Sequence, residues 1–150
     1  MRIYLVVMDE TEEAKHALRF ASLRAMKTGG SVHILALVPQ QTINAFGGVQ
    51  ATIEQEARER AEVMANNAAG NIFGEMGKMP VIAVRPGSAA DVITKYLEEH
   101  GDIAALVLGT SQEGSKDPLV AHFAARASSL PCPLYLVPGG LSKERLEELA

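Results

Sequence analysis

Five short apolar runs alternate with stretches of helical periodicity, and that alternation leaves few folds open to the chain. The runs are RIYLVVM (2–8), SVHILALV (31–38), VIAVR (81–85), IAALVLG (103–109) and PCPLYLVP (131–138). They are compact and largely apolar, as expected of strands covered on both faces. After the first run, Thr11 is a good helix N-cap, and Glu12 and Glu13 fall in a first turn where the helix dipole favours acid. Ala14, Ala17, Leu18, Ala21 and Ala25 recur at helical spacing, and Gly29-Gly30 is the stop. Pro39 ends the second strand, and residues 39–49 read as a connection rich in Gln, Asn and Gly. A second helix is expected over 51–72, broken by GEMGKMP. A third is capped by Ser88, turns Ala90, Ile93 and Leu97 inward, and closes at His100-Gly101. A fourth is expected over 119–129. The tail GGLSKERLEELA can form a short amphipathic helix from Ser142.

The order β-α-β-α-β-α-β-α-β implies a five-stranded parallel sheet with helices on both faces, a doubly wound, Rossmann-like α/β fold. A chain of 150 residues suits one such domain. Ligands in these folds sit beyond the C-terminal ends of the strands, here Met8-Asp9, Val38-Pro39, Arg85-Pro86 and Gly109-Thr110.

Composition removes several functions. The net charge is −4 with no basic block, which argues against nucleic acid. No apolar run approaches the roughly 20 residues of a membrane span. The opening MRIYLVVMDE has too short an apolar segment for a signal peptide. The single cysteine, Cys132, makes no internal disulfide, so a cytoplasmic location is expected. It lies between Pro131 and Pro133 and reads as structural. His16, His33, His100 and His122 show no metal-ligand spacing. The nucleophile elbow, the Walker A loop and G-x-G-x-x-G are absent.

The loop LGTSQEGSKDP (108–118) leaves two readings open. Gly109, Thr110, Ser111, Gly114 and Ser115 offer backbone and hydroxyl donors to an anion, next to a helix N-terminus. Glu113 and Asp117 oppose that, with Lys116 the one cation. The other reading is a plain polar connection.

Four stretches resemble the universal stress protein family: LVVMDETEEAKHAL, ILALVP, VRPGSAADVITKYLEE, and LVLGTS followed by LPCPLYLVP. The resemblance covers about residues 2–138, giving a domain over 1–138 and a tail over 139–150. It implies strand order 3-2-1-4-5 and a homodimer formed by antiparallel pairing of fifth strands, through Leu134, Leu136 and Val137. Leu141, Leu146 and Leu149 of the tail then pack across the partner, or else on their own subunit. It also implies a stress-response role and, in one branch of the family, ATP or AMP as ligand. Asp9 matches the acidic residue that contacts ribose, although it can equally serve as a helix cap. Val38 matches the position whose backbone faces adenine, or is simply the last residue of a buried strand. Nucleotide-binding members carry G-x2-G-x9-G-[S/T]. Here Gly109 matches the first glycine, Gln112 stands at the second, and the final pair falls at His122-Phe123, or at Val120-Ala121 counting back from Pro131. Gly114-Ser115 lies nearby at another spacing. The expectation is a non-catalytic regulatory or protective stress protein; the alternative is an adenine-nucleotide binder, with slow hydrolysis at most, using Asp9, Val38, Gly109, Thr110, Gly114 and Ser115.

Overall fold

The computed structural model describes residues 1–38, 47–112 and 117–150, with side chains from 51 onward in the second helix. Its elements are β1 (Ile3–Met8), α1 (Glu12–Thr28), β2 (Ser31–Val38), α2 (Gly47–Met76), β3 (Val81–Pro86), α3 (Ala89–Glu99), β4 (Ile103–Thr110), α4 (Pro118–Ala125), β5 (Leu134–Pro138) and α5 (Lys143–Leu149). All strand pairings are parallel and the order is β3-β2-β1-β4-β5. The doubly wound sheet expected from the sequence is the one observed.

Every residue of the central strand β1 is buried. Tyr4, Val6 and Met8 pack with α1, α2 and α5, while Ile3, Leu5 and Val7 pack with α3 and α4. That two-sided burial is why the run shows no polar alternation. On β4 the register shifts opposite Ile3 and Tyr4, so Ala104 is an extra residue in the ladder. The bulge returns Leu106 and Leu108 to the face that Ile103 occupies.

The ends of α1 follow the local chemistry. Thr11 accepts from the Ala14 amide, and Gly29 takes the left-handed conformation at φ 69°. Alanines 14, 17, 21 and 25 face the sheet and are buried, which lets the helix axis lie close to the strands.

Other boundaries moved for physical reasons. The second helix runs on through Gly70 and Gly74 and stops at Gly77, where φ is 74°. The fourth helix is shorter than expected: α4 ends at Ala125, and Ala127–Ser129 is a 3-10 turn. The fifth strand starts at Leu134, not at 131, because Pro131 and Pro133 bring no N–H to a ladder. Tyr96, which sequence periodicity missed, is only 3% exposed beside Ile93 and Leu97.

The tail is part of its own subunit. Ser142 accepts from the Arg145 amide and starts α5. Leu146 is fully buried in the core shared with α1. Lys27 Nζ donates to the Glu147 carbonyl at 3.0 Å, and the two ring nitrogens of His16 face the Glu12 and Leu141 carbonyls at 3.0 and 3.1 Å. Of the two placements expected for the tail, Leu146 takes the one on its own subunit. The Val137 side chain is buried in the same core, whereas Leu136 is exposed and Leu134 half-buried. Alternation along the strand accounts for the difference.

A polar knot fastens α3 to β2. His33 Nδ1 lies 2.8 Å from the Tyr96 hydroxyl. The His100 ring stacks on Tyr96 at 4.0 Å, 5.9 Å from His33, and the Arg85 guanidinium stands over Tyr96 at 5.8 Å. Burial lowers the His33 pKa below its usual 6.5, His100 lowers it further, and Asp102 works against both. The neutral ring therefore belongs to the folded state. Its contribution is present above pH 6.5 and is lost as pH falls from 6.5 toward the lowered value of the folded ring, the range in which the unfolded chain takes up a proton that the fold resists. The urea midpoint is expected to drop between about pH 7.5 and about pH 5.5, and to drop less in His33→Gln. Parallel pH curves for the two proteins would rule the knot out as the cause.

Candidate functional site

Strands β1 and β4 lie side by side, but the chain leaves them in opposite directions across the sheet. Their C-terminal ends therefore open a crevice. A cavity of about 280 Å³ sits there, lined by Asp9, Thr11, Glu13, Gly109 and Asp117, with Val7 and Leu108 as its floor.

Asp9 follows the last residue of β1 and is half-buried. Its Oδ1 accepts from the Thr11 amide at 2.9 Å and from the Thr11 hydroxyl, while that hydroxyl oxygen accepts from the Ala14 amide at 3.3 Å. Asp9 thus organises the turn that leads into α1 from outside the helix, while the cap itself is Thr11. Asp9 Oδ2 has no hydrogen bond among the described residues. Val38 ends β2, on the other side of β1 from β4, and its side chain packs on Ala57 and Ala61 of α2.

Gly109 lies where the first turn of α1 crosses β4. A Cβ on Gly109 would overlap the Glu13 carbonyl. The glycine therefore has a packing reason of its own, independent of any phosphate. Thr110 closes β4 opposite Pro138 and is half-buried. Gly114 and Ser115 lie outside the described residues.

Two acidic groups complete the crevice. Glu13 comes from the first turn of α1; from sequence it could not be told from Glu12, since both sit in that turn. Asp117 is the N-cap residue of α4 but does not cap it. Its carboxylate turns back across the loop to Ser111, accepting from the Ser111 amide at 3.2 Å and 3.1 Å and from the Ser111 hydroxyl at 3.4 Å. Three carboxylates, those of Asp9, Glu13 and Asp117, line this cavity, and among the described residues no Lys or Arg does.

A wider hollow of about 670 Å³ lies on the other side of Asp9, between α1, α2 and α5. Most of its cations are already engaged. Arg19 bonds Glu75 at 3.0 Å and Glu147 at 3.2 Å, and Lys15 bonds Glu12 at 3.1 Å. Lys143 stands at the rim.

Elsewhere the chemistry is plain. Burial pushes the Cys132 thiol up, against a smaller lowering from the Leu106 backbone, so it is a poor nucleophile. Among the described residues no group of His, Cys, Asp and Glu is arranged to hold a metal ion. His122 sits on α4, its ring edge-on to Phe123 at 4.9 Å, and does not line the crevice.

Gly109→Ala tests the packing role. It should lower unfolding stability by at least about 2 kcal/mol in urea titration, because backbone and not a flexible side chain must move. A near-neutral change would show that α1 can retreat from β4.

Comparison with known proteins bears on this arrangement. Universal stress protein UspA from Lactobacillus plantarum shares the fold with a TM-score of 0.74 at 17% identity, over 91% of this chain and 97% of that one. The universal stress protein from Archaeoglobus fulgidus in complex with dAMP matches with a TM-score of 0.55 at 22% identity, over 92% and 96% of the two chains. A universal stress protein in complex with cAMP matches with a TM-score of 0.54 at 16% identity, over 91% and 96%. No curated protein matches by sequence. At such identities the structural likeness speaks for the fold alone, but the sequence pattern of the universal stress protein family matches residues 1–138. The chain belongs to the universal stress protein family.

Proposed function

We propose that this protein is a non-catalytic, homodimeric stress protein with a regulatory or protective role, whose crevice does not grip a triphosphate. The observation that carries this reading is the anionic lining: Asp117 already rests on the Ser111 amide, and Asp9 and Glu13 stand beside it. One carboxylate about 4 Å from a phosphate charge costs on the order of 1 kcal/mol even in a water-like dielectric. Among the described residues no histidine is hydrogen-bonded to a Ser, Thr or Cys that it could activate. Among the described residues no helix is long and apolar enough to cross a membrane. A cytoplasmic location rests on the single cysteine.

A second reading is that the crevice takes the adenosine portion of an AMP-type nucleotide. It is favoured by the neighbours solved with dAMP and cAMP and by Asp9 Oδ2, which suits a ribose hydroxyl. Thermal-shift titration separates the two. Under the first reading ATP at millimolar concentration gives no shift. Under the second, adenosine or AMP raises the Tm, and Asp9→Asn, which keeps an acceptor for Thr11, removes that rise. A strong ATP shift, about 2.7 kcal/mol at a hundred times Kd, would sink the first reading.

The dimer rests on the β5 edge. β5 pairs with β4 alone, Leu136 is 41% exposed, and Leu149 of α5 is 47% exposed. A groove of about 370 Å³ runs between them beside Phe20 and Tyr135. An open apolar edge of this kind is covered by pairing or risks aggregation. Leu136→Lys should weaken self-association at least about tenfold in sedimentation velocity, a change of about 1.4 kcal/mol. A wild-type monomer at micromolar concentration would remove the dimer.

A further inference from the structure

We infer that the Asp117 carboxylate is the crevice's own resident anion, held on Ser111 where a ligand phosphate would otherwise bind, and that it makes the site prefer nucleosides to nucleotides. The inference deepens the adenosine reading above and rests on it for the identity of the ligand, but not for the behaviour of the loop.

Three features carry it. The first is the pairing itself. Both Asp117 oxygens accept from the Ser111 amide, and Oδ2 also faces the Ser111 hydroxyl. An N–H and an O–H presented together at the end of a parallel strand can serve two phosphate oxygens just as well. The second is what Asp117 gives up. An aspartate at a helix N-cap ordinarily accepts from the second or third helical amide. Asp117 makes no such bond, and Pro118 at the first position has no amide to offer. The early turn of α4, including Leu119 and Val120, lines the same cavity with its amides uncapped by that side chain. The carboxylate has left its local role for a place across the loop. The third is position: the pair lies at the β1–β4 switch point, in one cavity with Asp9. A phosphate entering here must displace a carboxylate and then remain next to it. An uncharged nucleoside faces neither cost.

The test compares wild type, Asp117→Asn and Asp117→Ser, titrated calorimetrically at low salt with adenosine, AMP and inorganic phosphate. Asparagine keeps an oxygen for the Ser111 amide, and serine removes the bulk; circular dichroism checks that both variants fold. The expected result is an AMP affinity raised at least about tenfold in either variant, with adenosine affinity changed less than about twofold. If adenosine binds none of the three proteins while phosphate binds only the variants, the resident anion stands and the nucleoside reading falls. If a folded variant binds AMP and phosphate no better than wild type, the inference is overturned, whatever adenosine does.

Discussion

The close seating of α1 on the sheet is the constraint from which the crevice takes its shape. An alanine face brings the helix down over β1 and β4, so near that the Glu13 carbonyl occupies the space a Cβ on Gly109 would need. That contact fixes where the first turn begins. The Asp9–Thr11–Ala14 relay holds the turn from the other end. Glu13 is thereby carried into the cavity as a consequence of packing. Any ligand must accept a wall set by the fold.

The same geometry sets the charge around the loop that follows β4. A phosphate-holding loop needs donors free of other partners and little negative charge nearby. Here Ser111 is engaged by Asp117, and two further carboxylates line the cavity. None of these groups is needed to cover the apolar core, which is closed by the two clusters on either side of the sheet. Asp9 differs, because it uses one oxygen for the turn and leaves the other without a hydrogen bond among the described residues.

Much of the fold was legible because its signals are local. Thr11, Gly29 and Ser142 mark helix ends through cap chemistry that acts within a few residues. The apolar runs gave the strands, and alternation gave the sheet. What escaped was set by tertiary contact. Tyr96 is buried where His33 of β2 meets its hydroxyl, while His100, the cap of its own helix, stacks on its ring. The start of the fifth strand moved because Pro131 and Pro133 cannot donate to the neighbouring strand. In the site, Gly109 was readable as special, but sequence could not say that α1 backbone, and not only a phosphate, requires it. Asp117 was visible as an unfavourable charge, while its turn toward Ser111 depends on a loop conformation that no spacing rule encodes.

The division of labour among these residues bears on how such a crevice changes during descent. Gly109 and Thr11 are tied to backbone contacts that any ligand-free chain must still make, so they resist substitution for reasons of stability. Asp117 carries no helix cap and contributes little to the core. A change there alters the electrostatics of the site with small effect on the fold, because its hydrogen bonds run to a half-exposed loop residue. Charge and stability are then separable in this part of the molecule. The presence of a matching glycine does not imply phosphate binding, since the glycine is required by the helix that lies on it.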